Sequence, residues 1–488
     1  MFSKGDEKMG QMKKFLADNY TMLCDFYELT MGNGYHRCGK DNKVLYFDLF
    51  FRSIPDGGGF AIAAGLDQVI DYIENLHFDE DDIAYLRSRG QFSEEFLKYL
   101  ADFRFTGDIY AVPEGTPVFP NEPLLTVRAP AIEAQFIETF LLLTINHQSL
   151  IATKSSRIVR AAQGRPVSEF GSRRAQGTAA AIYGARASYI AGCAGSACTI
   201  ADELFGVPAG GTMAHSWVQF FDSEFEAFDK YCEIYPNNPT LLVDTYNVLK
   251  KGVPNAIAAF KKHGITKGAV RLDSGDITYL TKKVRKMLDE AGLPECKIVV
   301  SNSLDEYIIR ELLHQGAVID SFGVGERLVT SKSEPVFGGV YKLVAVEDTD
   351  GTVTPKIKIS ENTQKITNPH FKKVYRLYDK ETGKAEADYL CVYDETVDDT
   401  QPLTIFDPVH TWKEKTFTSY RAEELLKPIF VSGKLVYPRY TTKEIRDYCA
   451  SQIATLWDEV TRFENPHNYY VDLSKKLWDI KHELLKAK

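Results

Sequence analysis

Leu241-Leu242-Val243-Asp244-Thr245, Gly268-Ala269-Val270-Arg271-Leu272-Asp273-Ser274-Gly275-Asp276, Ile298-Val299-Val300-Ser301-Asn302, and Val318-Ile319 leading to Phe322-Gly323-Val324-Gly325 are four apolar runs, each ending in polar or small residues. Amphipathic helical stretches separate them, and Asp244, Asp273, Ser301 and Gly323 stand 29, 28 and 22 residues apart, about the length of one strand-helix unit. Repeated units of this kind imply a parallel sheet, expected here to close into a barrel, with the site at the strand carboxyl ends. Four consecutive polar ends therefore point into one pocket. Taken singly, each Asp or Ser is equally well placed to cap the helix that follows it.

Working toward the amino end, helical spacing runs from Ala131 to about Gln163. Between Gly107 and Pro130 short extended pieces are broken by Pro113, Pro117, Pro120 and Pro123, which reads as a small β-rich module. Lys43 to Phe51 reads as a buried strand, and Ile54-Pro55-Asp56-Gly57-Gly58-Gly59 after it as a loop, because three glycines hold regular structure poorly. Beyond Asp350 the repeat is lost, and candidate helices appear at Lys443 to Arg462 and Leu473 to Lys486. The expected organisation is an α/β amino-terminal domain over 1–150 containing the module at 107–130, an α/β barrel with the site over 151–349, and a carboxyl-terminal extension over 350–488 packing on the amino-terminal domain.

At 488 residues, with 44% hydrophobic residues, the chain is long enough for two or three packed units. A formal net charge of -9 argues against a protein that grips nucleic acid through a basic face, so an anionic ligand must be held by local groups. The longest apolar run, around Phe140 to Ile145, is too short to span a bilayer, and the opening MFSKGDEKMGQMKKF lacks an apolar signal core. A cytoplasmic protein is expected. Its eight cysteines are scattered without a C-x-x-C pair and read as reduced thiols.

Two familiar phosphate devices are absent. There is no G-x-x-x-x-G-K-[ST] loop, and Gly323-Val324-Gly325-Glu326-Arg327-Leu328 lacks the third glycine of a dinucleotide fingerprint. Instead, Glu169-Phe170-Gly171-Ser172-Arg173-Arg174-Ala175-Gln176-Gly177 puts two guanidinium groups at a strand end before an alanine-rich helix, an arrangement that suits an anion as well as it suits structural ion pairs. Gly210-Gly211-Thr212-Met213-Ala214-His215-Ser216-Trp217 sets a histidine among small residues. Alone, such a histidine is more often packed than catalytic.

Read together and in order, EFGSRRAQG, GTMAHS, RLDSGD, VSNSLDE and FGVGERLVT closely resemble the nicotinate phosphoribosyltransferase family, and CDFYELTMGNGY and FFRSIPDGGGFAIAAGL extend the resemblance over roughly residues 18–370. The resemblance implies a type II phosphoribosyltransferase fold: an α/β amino-terminal domain and an irregular seven-stranded α/β barrel, working as a homodimer with shared sites. It implies that nicotinate and 5-phosphoribosyl 1-diphosphate are joined into nicotinate mononucleotide with magnesium, and that ATP is used through phosphoryl transfer to His215. Tyr27 would reach the pyridine ring in the partner subunit's site, opposite Phe170, and Asp25 would cross with it. Arg173 and Arg271 would face the carboxylate or the diphosphate, and Thr212 would hydrogen-bond nearby. Asp273 would hold the ribose hydroxyls or magnesium, next to Ser301 on the neighbouring strand end. Gly323, Gly325 and Thr330 would donate to the 5-phosphate.

The sequence departs from the family twice. Pro369 is followed by His370, Phe371 and Lys372 where relatives commonly show Pro-Gly-x-Lys, and Cys198 stands where relatives often carry Asn and the nicotinamide-using relative an Asp. That relative is the nearest alternative. A quinolinate-using relative would need a more basic pocket and no ATP, and a regulatory protein with a decayed site would have lost the polar motif positions retained here.

Overall fold

The computed structural model describes residues 19–362 and 365–487; the opening segment read for a signal core lies outside them. The chain divides into two compact units, one taking residues up to Ser149, Val336–Tyr440 and the chain from Ser451 on, the other Leu150–Pro335 and Thr441–Ala450.

In the first unit a seven-stranded antiparallel sheet runs in the order Val353–Pro355, Val340–Glu347, Val44–Phe50, Leu125–Pro130, Asp108–Ala111, Lys427–Val431, Lys434–Leu435. Val44–Phe50 is buried along almost its whole length, as befits a central strand that is apolar except for Asp48. A second sheet orders Tyr420–Glu424, Lys372–Asp379, Ala385–Val392 and Tyr470–Leu473. Within it Arg376 faces Asp388 across the ladder, both fully buried, through a bidentate pair of 2.8 and 2.6 Å, and Arg376 also donates to Pro117 O at 2.9 Å. Removing one partner of such a pair strands the other charge. Arg376→Met is expected to destabilise the protein by about 3–5 kcal/mol in urea unfolding; a loss below about 1 kcal/mol would mean that Asp388 finds another partner or takes up a proton.

The departure at Pro369 has a structural outcome. His370 adopts φ 76°, the left-handed conformation for which glycine is the natural residue, so the loop keeps a glycine-type turn at a cost to the side chain. Lys372 is buried, with its ammonium on Asp48 (2.7 Å) and on the carbonyls of Asn368 and His370 (3.0 and 2.6 Å).

In the second unit six strands form an all-parallel sheet in the order Gly195–Ser196, Val167–Glu169, Ser321–Val324, Lys297–Asn302, Ala269–Leu272, Thr240–Leu242. The expected seventh strand is reduced, among the described residues, to a single parallel bridge between Ala209 and Ser196. One expected strand is displaced. Val318-Ile319 precedes the ladder because the Asp320 carboxylate takes the Ile298 amide (2.8 Å), so pairing begins at Ser321 and Phe322-Gly323-Val324 is the strand itself. The helix read from Lys443 to Arg462 is two, Thr442–Ile453 and Asp458–Thr461; at the break the Thr455 hydroxyl donates to Gln452 O (2.7 Å). From the first of these, Arg446 donates to the carbonyls of Tyr189 (2.9 Å) and Gly192 (3.0 Å), satisfying the end of the helix Thr178–Ile190. Among the described residues no helix is long and apolar enough to cross a membrane.

Candidate active site

The strand-end residues of the second unit do not cap the helices that follow. Asp276 caps Ile277–Glu290 and Asp305 caps Glu306–His314. Asp244, Asp273 and Ser301 are thereby left to one another: Asp244 Oδ2 accepts from the Asp273 amide (3.1 Å) and the Ser274 hydroxyl (2.6 Å), and the Ser301 hydroxyl donates to Asp273 Oδ1 (2.5 Å). Three neighbouring parallel strands thus deliver two carboxylates and a hydroxyl to one end of the sheet, and Asp244 Oδ1 is buried with no hydrogen-bond partner.

Beside them Arg271 Nη1 donates to the Thr212 hydroxyl (2.8 Å) and Nη2 to Met213 O (3.0 Å), while Nε is buried and unpartnered. Burial holds its guanidinium below the ordinary value; Asp273 and Asp244 oppose that shift, and Arg173 adds to it. Arg173 and Arg271 therefore act on one region. His215 opens the helix His215–Phe220, and its Nδ1 lies 3.1 Å from the Thr245 hydroxyl, next in sequence to Asp244. With Nδ1 occupied, Nε2 is the ring nitrogen left to react.

The wall opposite is set by glycine. A Cβ on Gly323 would fall 2.4 Å from the Phe170 ring, and one on Gly171 would fall 2.7 Å from Gly325 O. The Phe170 amide donates to Val324 O (2.8 Å). Gly323 and Gly325 thus admit the Phe170 loop against the strand end, a role the sequence reading did not give them. Thr330 donates its hydroxyl proton to Glu326 O (2.7 Å), so it meets a phosphate only by releasing that bond.

Sequence reading also assigned no role to Glu169, which is fully buried beneath Phe170. Its carboxylate accepts from the Gly171 amide and the Ser196 hydroxyl (2.6 Å), and Ser196 Oγ in turn accepts from the Cys198 amide (2.9 Å). Burial raises the Glu169 carboxyl, with the Ser196 and Gly171 hydrogen bonds opposing. This relay fixes the Arg173 loop to the Cys198 segment. The one available signal was an acidic residue at a strand end in an otherwise apolar run. Cys198 itself is 8% exposed and packs with Ala185, Tyr189, Ala201 and Val207, the ordinary place of a small buried thiol.

Asp25 and Tyr27 belong to the first unit, at the start of the helix Phe26–Arg37, and both are exposed. The Tyr27 phenol is raised, by partial burial first and then by the charge of Glu138. The Asp25 amide donates to Thr139 Oγ1 (3.1 Å), and the Thr139 hydroxyl donates to Glu28 (2.6 Å), whose carboxyl burial pushes up to about 8.

Family models for the nicotinate phosphoribosyltransferase N-terminal and C-terminal domains match residues 22–146 and 371–481. The chain is 43% identical over 469 residues to a nicotinate phosphoribosyltransferase of Bacillus subtilis, covering 96% of this chain and 95% of that one. With one of Mycobacterium tuberculosis it shares 41% identity over 93% and 92% of the two chains. The crystal structure of human nicotinic acid phosphoribosyltransferase superposes with a TM-score of 0.82 at 28% identity, over 95% of this chain and 100% of that one.

Proposed function

We infer that this chain, which belongs to the nicotinate phosphoribosyltransferase family, joins nicotinate to 5-phosphoribosyl 1-diphosphate, releasing diphosphate and forming nicotinate mononucleotide for NAD synthesis. The observation that carries the reading is the convergence of Arg271, Asp244, Asp273, Ser301 and His215 at one end of a parallel sheet.

Breaking the anomeric C–O bond builds positive charge on the ribose and negative charge on the leaving diphosphate, and the site supplies both complements. Asp273, oriented by Ser301, holds the ribose hydroxyls. Arg271 and Arg173 hold the negative groups, with the free Nε of Arg271 an available donor. Phe170 covers one face of the pyridine ring, and Tyr27 of a second subunit covers the other.

Two carboxylates fit a magnesium ion, which takes one or two protein carboxylates and completes its shell with substrate phosphate oxygens. Asp244, through its unpartnered Oδ1, and Asp273 are the residues that would hold it, and it would neutralise charge on the diphosphate. ATP is coupled through His215: Nε2 attacks the γ-phosphorus, an N–P bond forms as the bridging O–P bond to ADP breaks, and water later cleaves the N–P bond. A cytoplasmic homodimer completes the reading.

Two experiments test its parts. In mixed dimers of Tyr27→Ala and Arg173→Ala chains, one site regains both residues, so activity should partly recover; absence of recovery in verified heterodimers would contradict shared sites. At Cys198, an aspartate would set its charge against the nicotinate carboxylate, a repulsion of about 4 kcal/mol at about 4 Å and an effective dielectric near 20. Cys198→Asp should therefore lower nicotinate use by about a hundredfold or more and leave or raise nicotinamide use. Equal loss with both bases would mean damage to the apolar cluster around Cys198 and would remove it from substrate choice.

A further inference from the structure

We propose that the first unit carries a second ligand site, a cavity between the loop 407–413 and the carboxyl-terminal helix Lys475–Lys486 that holds a nucleotide by its phosphate. The cavity measures about 1490 Å³, and every residue lining it belongs to the first unit. Small-molecule pockets commonly span about 300–1,000 Å³, so a nucleotide fits with room for a second one linked to it.

The charge of its wall is unbalanced. Lys481, half-buried, gives its ammonium to the neutral Asn368 Oδ1 (2.8 Å) and, among the described residues, has no carboxylate within ion-pairing distance. Lys413, on the exposed loop, likewise has none among the described residues. The four carboxylates of the cavity are otherwise engaged or weakened. Asp48 pairs with Lys372 (2.7 Å), Glu459 lies 3.4 Å from Arg462, and Asp407 Oδ1 accepts from the amides of Val409 and His410 (2.8 and 2.7 Å). Asp472 is pushed up to about 6 by burial and by Asp407, so it carries less than a full charge as the pH falls toward that value. Burial, with Lys372 nearby, lowers the Lys481 ammonium to about 8.

A half-buried lysine whose ammonium meets only a neutral amide oxygen is a poor structural choice and a common feature of a binding site; an anion supplies the missing charge. Phosphate alone would leave most of the volume empty. Tyr470, 46% exposed with its ring against His467 (5.4 Å), offers a flat face on the same wall, which suits a heteroaromatic ring. Trp478 ties the wall together, donating to Pro408 O (3.0 Å) in the loop and stacking on His482 (3.7 Å) in its own helix.

The test is binding, by equilibrium dialysis, of AMP, of nicotinamide adenine dinucleotide and of inorganic phosphate to the full chain carrying Arg271→Ala, which weakens the barrel site. One AMP or dinucleotide is expected per chain, the tighter of the two identifying a mononucleotide or a dinucleotide site. Lys481→Gln and Lys413→Gln should each weaken it by about tenfold or more, and Tyr470→Ala should weaken nucleotide but not phosphate. In the otherwise wild-type chain the same lysine changes should leave nicotinate turnover unchanged in the absence of added nucleotide. Lys413 sits on an exposed loop, so its replacement tests the site even if Lys481→Gln unfolds the helix. No binding at millimolar ligand, binding indifferent to both lysines, or phosphate binding as tightly as nucleotide would overturn the proposal.

Discussion

Arg271→Ala is expected to lower kcat/KM for nicotinate by roughly 30- to 5,000-fold, the equivalent of about 2–5 kcal/mol for truncating one member of a buried charge-paired contact. The size follows from where the side chain sits. Its two terminal nitrogens are already committed to Thr212 and Met213 O, which lock the plane of the guanidinium before any substrate arrives. Its Nε is buried and unpartnered, and Arg173 adds a second positive charge to the same region. A ligand that brings negative charge there gains fully from a donor that has nothing else to bond. The lysine variant should recover little, since an ammonium cannot hold Thr212 and Met213 O in the same plane. A loss below about tenfold would place Arg271 outside the site.

His215→Ala should abolish nicotinate-stimulated ATP hydrolysis while sparing a slow, ATP-independent formation of mononucleotide. The two halves of that expectation come from different parts of the structure. His215 touches the strand ends through Thr245, and the Asp244–Asp273–Ser301 set and Arg271 make their hydrogen bonds without it. On the proposed coupling, removing the imidazole takes away the phosphoryl acceptor and leaves the groups proposed to serve glycosidic bond formation. Thr245→Val, which removes the Nδ1 contact but keeps the ring, should lower ATP coupling less than His215→Ala does. ATP hydrolysis in His215→Ala that still responds to nicotinate would contradict the phosphohistidine.

Much of the barrel was legible because a parallel strand buried on both faces reads as a short apolar run and its polar end is fixed by the turn into the next helix. That is why Asp244, Asp273 and Ser301 could be placed together before any geometry was known. Val318-Ile319 misled because β-branched residues favour a strand wherever they occur, while the ladder begins where Asp320 seals it. Gly323 and Gly325 were read as phosphate donors, yet the close approach of Phe170 also requires them to lack a side chain. The role of Glu169 was hidden because a buried carboxylate acts through partners distant in sequence, and Ser196 is 27 residues away. The long carboxyl-terminal segment showed its helices but not its sheet partners: Lys427–Val431 pairs with Asp108–Ala111 and Tyr470–Leu473 with Ala385–Val392, across gaps that no local pattern records.

The central claim is tested most directly by incubating the protein with 5-phosphoribosyl 1-diphosphate and magnesium, offering nicotinate or nicotinamide, with and without ATP, and following the mononucleotide and diphosphate formed. Nicotinate should be converted, diphosphate should appear in equal amount, and ATP should raise the yield, with nicotinamide a poor substitute. Preferential use of nicotinamide, or no mononucleotide from either base, would contradict the account.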